Sequence, residues 1–235
     1  MLARKTVSAI ALAAPLALLP AQAQDLTVVS RVTFGNSESS STHYITSERS
    51  RTTDGQNDSI IHYSTGKMIV VDHKKKEYFE TSLEEMSAYL DRVTRNLKGS
   101  GVEKMFALDE EAKAEKLPGK RTFAGYDCEH FSISFGDALE IDLWAAPSLK
   151  APPRYYDGRK LAYAAMGPMG KLFENAFEEM KKIKGFPLST AFILRTPMSR
   201  TETVSEATEV RKGSIPASVF ELPAGYRRKE SPYTK

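Results

Sequence analysis

Few residues in this chain stand at spacings that support catalysis. Ser64 and Lys67 match the Ser-x-x-Lys pattern of penicillin-recognising acyl enzymes, in which the serine begins a helix and the lysine follows one turn later. Here the pair lies between two extended segments, which predicts a hairpin turn, and the companion Ser-Asp-Asn and Lys-Thr-Gly elements are missing. We therefore interpret this stretch as a turn.

The single cysteine and the four histidines form no metal-ligand pattern. Cys128 has no partner for an intramolecular disulfide, so a buried, inert thiol is the expected role. An intermolecular disulfide or a reactive nucleophile is the alternative, because His130 shares a strand face with Cys128. The histidines lack the i, i+4 helical spacing that metal ligation favours. We expect no cofactor, no metal and no enzymatic activity.

An export pattern occupies the first 23 residues. Arg4 and Lys5 precede an apolar run over 7–19, and Ala-Gln-Ala at 21–23 supplies a small-x-small cleavage site. The run is too short for a stable membrane anchor, and no cysteine follows it for lipid attachment. We expect a cleavable signal peptide over 1–23 and one soluble, exported domain over 24–235, which is not an integral membrane protein.

The chain is close to electrical neutrality, with 33 Lys and Arg against 30 Asp and Glu. Nucleic-acid binding normally needs a concentrated basic face. Lys74-Lys75-Lys76 is a short basic cluster, where we expect a solvated turn. No nucleic-acid partner is therefore expected.

Alternating apolar residues predict a first strand over 25–35. Strand-like sequence over 42–53 then leads to Asp54-Gly55, a strong two-residue hairpin signal. That register places Arg51 opposite Asp58, as an exposed ion pair that adds little stability. The alternating residues of the first strand are Leu26, Val28, Val32 and Phe34.

The meander that follows, over 60–82, is apolar on both faces. A turn at Thr65-Gly66, with Ser64 opposite Lys67, defines which residues share a face. An ordinary antiparallel sheet keeps one face wet and polar. We therefore expect helices on one face and, on the other, more protein, a ligand or a partner. One face carries Ile61, Tyr63, Met68 and Val70, with Phe79 opposite Val70; the other carries Ile60, His62, Ile69 and Val71, with Tyr78 opposite Val71.

Two amphipathic helical regions are predicted to cover the sheet. Ser82 and Glu85 form a capping box that begins the first helix. The second region extends over 160–184 with a break at Gly167-Pro168, after a proline-rich segment at 147–159 that predicts a loop. Each region carries an apolar stripe at helical spacing. The stripes are Leu83, Met86, Leu90, Val93 and Leu97, then Phe173, Phe177, Met180 and Ile183.

A third set of strands lies between the two helical regions. A three-residue turn at 136–138 pairs residue 135 with 139, and it keeps six apolar side chains on one face. Two last strands are predicted near 187–195 and 199–211. The six side chains are those of Phe131, Ile133, Phe135, Leu139, Ile141 and Leu143.

Five short strings stand out along the chain, and they are Ala124-Gly-Tyr-Asp-Cys128, Leu143-Trp-Ala-Ala-Pro-Ser-Leu149, Gly185-Phe-Pro-Leu188, Phe220-Glu-Leu-Pro-Ala-Gly-Tyr226 and Val71-Asp-His-Lys-Lys-Lys-Glu-Tyr78. Taken together, they resemble an exported bacterial family of unknown function. That family is similar in fold to the periplasmic lipoprotein carriers and their outer-membrane receptors (LolA/LolB-like), in which a curved antiparallel sheet wraps an apolar hollow closed by helices.

The resemblance implies an α+β fold: a curved antiparallel half-barrel with two or more helices on or over its concave face. It also implies an inner-strand arginine that holds the helical lid, for which Arg49 and Arg51 are both candidates. We expect a periplasmic carrier for a lipid or an acylated ligand. The alternative is an envelope protein-interaction module that docks a partner protein and has no small-molecule ligand.

Plain apolar side chains are the expected lining of such a ligand site. Each buried methylene contributes about 0.8 kcal/mol, so an acyl chain needs only a dry cavity. The predicted ligand-binding residues are Val28, Val32, Phe34, Ile61, Tyr63, Met68, Val70, Phe79, Phe131, Ile133, Phe135, Phe173, Phe177 and Met180.

Overall fold

The computed structural model describes most of the chain that follows the N-terminal segment. The predicted signal peptide at 1–23 and the predicted helix break at Gly167-Pro168 lie outside the described residues. Among the residues that are described, no helix has both the length and the apolar character to cross a membrane. The described ranges are 25–97, 111–152, 154–164, 169–196 and 199–234.

An open, curved sheet of twelve strands makes up most of the described chain. The strands are β1 (Leu26–Phe34), β2 (Ser37–Ile45), β3 (Arg49–Thr53), β4 (Asn57–His62), β5 (Lys67–Asp72), β6 (Glu77–Ser82), β7 (Lys113–Phe123), β8 (Tyr126–Phe135), β9 (Leu139–Ala146), β10 (Phe186–Thr196), β11 (Ser199–Lys212) and β12 (Arg227–Arg228). The α-helices in the described ranges are α1 (Leu83–Leu97), α2 (Tyr155–Ala164) and α3 (Met169–Lys182), and a short 3-10 helix spans Ala217–Phe220. The predicted α+β class is confirmed.

Two meanders join side by side to form the sheet. The spatial order is β12-β6-β5-β4-β3-β2-β1-β11-β10-β9-β8-β7, so the first and last long strands meet at its centre. Neighbours pair antiparallel, except that β12 runs parallel to β6. The edge strand β7 is rich in lysine and has a register shift between Leu117 and Lys120. Charges and irregularities of this kind discourage edge-to-edge aggregation.

The predicted register of the β8–β9 hairpin is confirmed. Phe135 pairs with Leu139 across the three-residue turn. The six apolar side chains of this hairpin lie on one face, and all are buried in the core cluster that includes Phe173 and Phe177 of α3. The capping box of α1 is also confirmed, because the Glu85 amide donates to Ser82 Oγ and the Ser82 amide donates to the Glu85 carboxylate, each at 3.2 Å.

The β4–β5 hairpin has the predicted faces but a different register. Ile61 pairs with Met68 and His62 with Lys67, so the loop is longer than predicted. The difference is two residues, and a shift of two leaves every side chain on its original face. The predicted pairing of Val70 with Phe79 is confirmed.

The predicted β3–β4 register is wrong. Asp58 pairs with Thr53, and Arg51 pairs with Ile60. The arginine still reaches the carboxylate diagonally, with Nη2 2.6 Å from Oδ2. The pair is not exposed as predicted, because the side chains are 19% and 0% accessible.

The predicted loop over 147–159 is wrong at its end, where α2 begins at Tyr155. Gly158 lies inside this helix and packs directly on the sheet. A Cβ at that position would lie 2.5 Å from Tyr63 Cε1 and 3.3 Å from the Ile61 side chain. The glycine that suggested a turn therefore permits close approach of the helix to the strands.

The sheet has a helix face, which packs against the helices, and an outer face on the other side. Pairing places all the predicted strand residues of the ligand site on the helix face, from Ile61 in β4 through Val28 in β1 to Phe131 in β8. Gly158 of α2 contacts Ile61 there, and α3 packs over β8. The helices predicted on one face are thus confirmed.

The chain's own C-terminal segment covers the outer face of β3–β6. We call residues 213–234 the C-terminal strap. Its Phe220 is buried, and the Arg49 guanidinium lies 4.7 Å from the centre of that ring. Arg51 Nη1 donates to the Val219 carbonyl at 2.5 Å. The cover expected on the second face is therefore more protein.

The strap then crosses the free edge of β6. The Arg227 amide donates to the Lys76 carbonyl at 2.9 Å, and the Lys229 amide donates to the Tyr78 carbonyl at 2.8 Å. Beyond the edge, the Tyr233 ring packs against Phe79 and Tyr89 with centroids 6.0 and 5.4 Å apart. The strap thus contacts both faces of this half of the sheet.

Candidate functional site

A cavity of about 220 Å³ lies between the helix face and the helices α2 and α3. Its floor is formed by the four central strands, where the two meanders meet. The lining residues are Val28, Ser30, Val32, Ser41, His43, Tyr155, Tyr156, Arg159, Phe177, Met180, Phe186, Pro187, Leu188, Thr190, Phe192, Thr203 and Ser205.

Small side chains on the floor account for the empty space. Ser30 of β1 pairs with Ser41 of β2, and Ser205 of β11 pairs with Thr190 of β10. On either side of these strands the helix face carries large apolar residues that fill the interior. Protein interiors are close-packed, so a patch of short side chains beneath two helices leaves a hollow.

His43 forms part of the polar wall of the cavity. It pairs with Val28 across the β1–β2 ladder, and its ring centre lies 5.5 Å from that of Tyr155. Burial lowers the pKa of His43 from 6.5 to about 3, with a further contribution from the positive charge of Arg159. The imidazole is therefore neutral at ordinary pH and is a weak base there.

Arg159 of α2 is the only Lys, Arg, Asp or Glu among the described residues that line the cavity. Its guanidinium carbon lies 6.0 Å from the centre of the Phe177 ring. Burial also raises the pKa of the neighbouring Tyr156 phenol above its ordinary value. The lining therefore combines one cation with neutral donors and apolar surface. Such a set suits ligand binding better than general acid–base catalysis, which favours a group with a pKa near the working pH.

The predicted ligand-binding residues separate into three groups. Val28, Val32, Phe177 and Met180 line the cavity. Phe34 is 56% exposed, at the end of β1 that leads into the β1–β2 turn. The others pack against neighbouring side chains between the sheet and the helices, away from the cavity. They are Ile61, Tyr63, Met68, Val70 and Phe79 near α1 and α2, Phe131, Ile133 and Phe135 near α3, and Phe173 of α3 itself.

The polar lining residues were missed from the sequence. Serine and histidine at alternate positions of β2 are typical of a solvated face, so Ser41 and His43 gave no sign of burial. Their lining role could have been predicted from the pairing of β2 with β1, because this pairing places His43 beside Val28. Arg159 was missed because its segment was assigned to a loop.

A second polar cluster lies on the outer face, under the strap. The Asp58 carboxylate is fully buried, and its Oδ2 accepts from Arg51 at 2.6 Å and from His73 Nε2 at 2.8 Å. His73 Nδ1 lies 2.7 Å from the Tyr226 hydroxyl of the strap. Arg51 and Arg49 therefore contact the strap on the outer face.

Cys128 is a free, buried thiol. Burial raises its pKa, which lowers the thiolate fraction. His130 instead stacks on Trp144 and lies 2.5 Å from the Asp142 carboxylate. Within the described ranges, no group of three or more His, Cys, Asp and Glu side chains is placed to hold a metal ion.

Residues 32–226 match the family described as a domain of unknown function, DUF4412. The chain belongs to this family. A search of curated proteins found no significant match.

Solved structures show a distant likeness. In the MucA/MucB complex of Pseudomonas aeruginosa, the identity is 12% over 87% of this chain and 57% of the matched chain, with a TM-score of 0.45. For PNGF-II the identity is 14% over 89% of this chain and 32% of that chain, with a TM-score of 0.44. For a putative outer membrane lipoprotein-sorting protein domain from Vibrio parahaemolyticus, the identity is 8% over 86% of this chain and 91% of that chain, with a TM-score of 0.31. Scores this low support no functional inference.

Proposed function

We propose that this protein is a periplasmic carrier that binds a lipid-like ligand with a single hydrocarbon chain. The cavity beneath α2 and α3 is the observation that carries the proposal. Its apolar wall includes Phe177 and Met180 from α3 and Phe186, Leu188 and Phe192 from β10. The two helices form its cover, and their displacement would admit the ligand.

The size of the cavity favours one chain. Pockets for drug-sized ligands span roughly 300–1,000 Å³, and the cavity here, at about 220 Å³, is smaller. A whole two-chained phospholipid would need extensive opening of the helices. A single chain of moderate length supplies enough binding energy, because each buried methylene contributes about 0.8 kcal/mol.

Direct measurement of bound lipid tests this proposal. The full chain is expressed with its leader, purified from the periplasm and extracted for lipid mass spectrometry. We expect a single-chained amphiphile in the extract, and saturable binding of added decanoate by calorimetry. Empty protein that also binds no decanoate would overturn the proposal. The mass of the purified chain separately tests cleavage after Ala23.

A matched pair of variants assigns the binding to the cavity. Val32→Trp fills part of the lining, so decanoate binding should weaken. Thr33→Trp adds the same side chain to the same strand on the opposite face, so binding should persist. Equal effects of the two substitutions would count against this site.

The alternative function is an interaction module for an envelope protein. The exposed Phe34 is the feature that favours it, although single exposed apolar residues are common on protein surfaces. A photocrosslinking amino acid at the neighbouring exposed residue Asn36, with Phe34 left in place, tests this alternative in cells. One defined adduct that is lost on Phe34→Ser would support it.

A further inference from the structure

We propose that the ligand is a single-chain amphiphile with an anionic head, and that Arg159 binds this head inside the cavity. The inference rests on the proposed function, because it identifies the chemistry of the ligand for the same site.

The charge of the lining favours an anion. Arg159 supplies the full positive charge, and the described lining residues include no Asp or Glu. His43 stays neutral at ordinary pH, so it offers a hydrogen-bond donor and no competing charge. A guanidinium presents a planar fork of donors that matches a carboxylate or a phosphate. Hydrogen bonds of this charge-assisted kind are roughly twice as strong as neutral ones.

The hydroxyl floor provides further partners for a polar head. Ser30 and Ser41 lie side by side on β1 and β2, two residues along these strands from the Val28–His43 pair. Serine hydroxyls can donate to head-group oxygens. A wholly apolar ligand would remove these hydroxyls and the imidazole from water without providing partners, which is unfavourable.

The apolar part of the wall completes the match. Phe177 and Met180 of α3 and Phe186 of β10 supply surface for a hydrocarbon chain. Because the Arg159 guanidinium lies over the Phe177 ring, the cation borders this apolar surface. An amphiphile can therefore place its head on the arginine while its chain packs against the aromatic wall.

Calorimetry with ligands of equal chain length tests the inference. Decanoate, decyl phosphate and decanol are each titrated into the delipidated full-length mature protein. We expect at least one of the two acids to bind about tenfold or more tightly than decanol, equivalent to about 1.4 kcal/mol. The stronger acid then identifies the head as a carboxylate or a phosphate.

Substitution of the arginine assigns this preference. In Arg159→Gln, the preferred acid should lose its advantage and bind no more tightly than decanol binds to the same variant, while an unchanged circular dichroism spectrum and urea midpoint show that the fold is intact. Arg31→Gln is the matched control, since it removes a cation from an exposed pair with Glu206 on the opposite face of β1. That variant should keep the full preference.

Three possible failures lead to different conclusions. Equal binding of decanol and both acids to the wild type would overturn the anionic head and leave the proposed function standing. A preference that survives Arg159→Gln would also overturn the role of the arginine. Failure of all three ligands to bind would instead overturn the proposed function.

Discussion

The two faces of strands β3–β6 are covered by different means. On the helix face, Ile61, Tyr63 and Met68 form an apolar cluster with Met86 of α1. On the outer face, Ile60 and Val71 are fully buried beside a buried ion pair and the strap. The same meander thus has an apolar cover on one side and a partly ionic cover on the other.

The comparison shows that different interactions stabilise a cover and determine its position on the sheet. Burial of apolar side chains stabilises both sides by the same effect. Buried ion pairs add little net stability, because the attraction between the charges is offset by their desolvation. The outer network instead favours one position of the strap, since Arg51 and His73 both make directional contacts with it.

Removal of the buried carboxylate should have the largest effect. In Asp58→Asn, the Arg51 guanidinium loses its counter-ion inside the protein. Loss of one partner of a buried pair costs about 3–5 kcal/mol. Urea unfolding measured by circular dichroism gives the change in the free energy of unfolding.

Glu206→Gln is the control for that substitution, because it removes a carboxylate from the exposed pair with Arg31. Exposed pairs contribute about 0–1 kcal/mol. Similar losses in both variants would show that the Asp58 network is accessible to water and not held under the strap.

Substitution of two neighbouring isoleucines allows a direct comparison of the two covers. Ile60 and Ile61 are 0% and 5% exposed and point to opposite faces. Both Ile60→Ala and Ile61→Ala should lower the free energy of unfolding by about 2–5 kcal/mol, as buried Ile→Ala substitutions do. An outer face open to water would leave Ile60→Ala nearly neutral in the same urea experiment. That result would contradict the position of the strap.

The sequence predicted the part of the fold that follows local periodicity. The β8–β9 register followed from Phe135 and Leu139, because only a three-residue turn keeps their neighbours on one face. The α1 boundary followed from Ser82 and Glu85, whose reciprocal hydrogen bonds act within one turn. Signals of this kind need no knowledge of distant contacts.

The site was less predictable because distant segments form it. Ser41 and His43 are polar residues in a polar strand, and they are partly covered only by helices more than a hundred residues later in the chain. Gly158 resembles a turn residue until Tyr63 is seen beneath it. The burial of Asp58 likewise depends on a strap at the far end of the sequence. Local patterns do not encode such contacts.

The pH dependence of stability should report the burial of His43 in the wall of the cavity. His43 has a pKa of about 3 in the folded chain and about 6.5 when unfolded. The unfolded chain therefore binds the extra proton below pH 6.5, and stability falls as the pH falls from there toward 3. Between pH 6.5 and pH 5, protonation of His43 in the unfolded chain should lower the free energy of unfolding by up to about 2 kcal/mol.

Urea unfolding at both pH values, in the wild type and in His43→Gln, isolates this contribution. Glutamine does not titrate, so the variant should lose less stability on acidification than the wild type. Equal losses would mean that His43 is hydrated and titrates normally in the folded chain.

The contact between the strap and the sheet should show the smallest effect. Tyr226→Phe removes the hydroxyl that lies 2.7 Å from His73 Nδ1 but keeps the aromatic ring, whose centre lies 5.6 Å from that of the imidazole. One hydrogen bond contributes about 1 kcal/mol, so the variant should lose about that much stability in urea. In Asp58→Asn, the same hydroxyl should contribute less, because His73 no longer has the carboxylate that orients its ring. A double-mutant cycle measures this coupling. If the losses of stability in the two single variants simply add in the double variant, the strap and the ion pair stabilise the outer face independently. The ionic network would then not couple the strap to the sheet, and the two covers would differ only in composition.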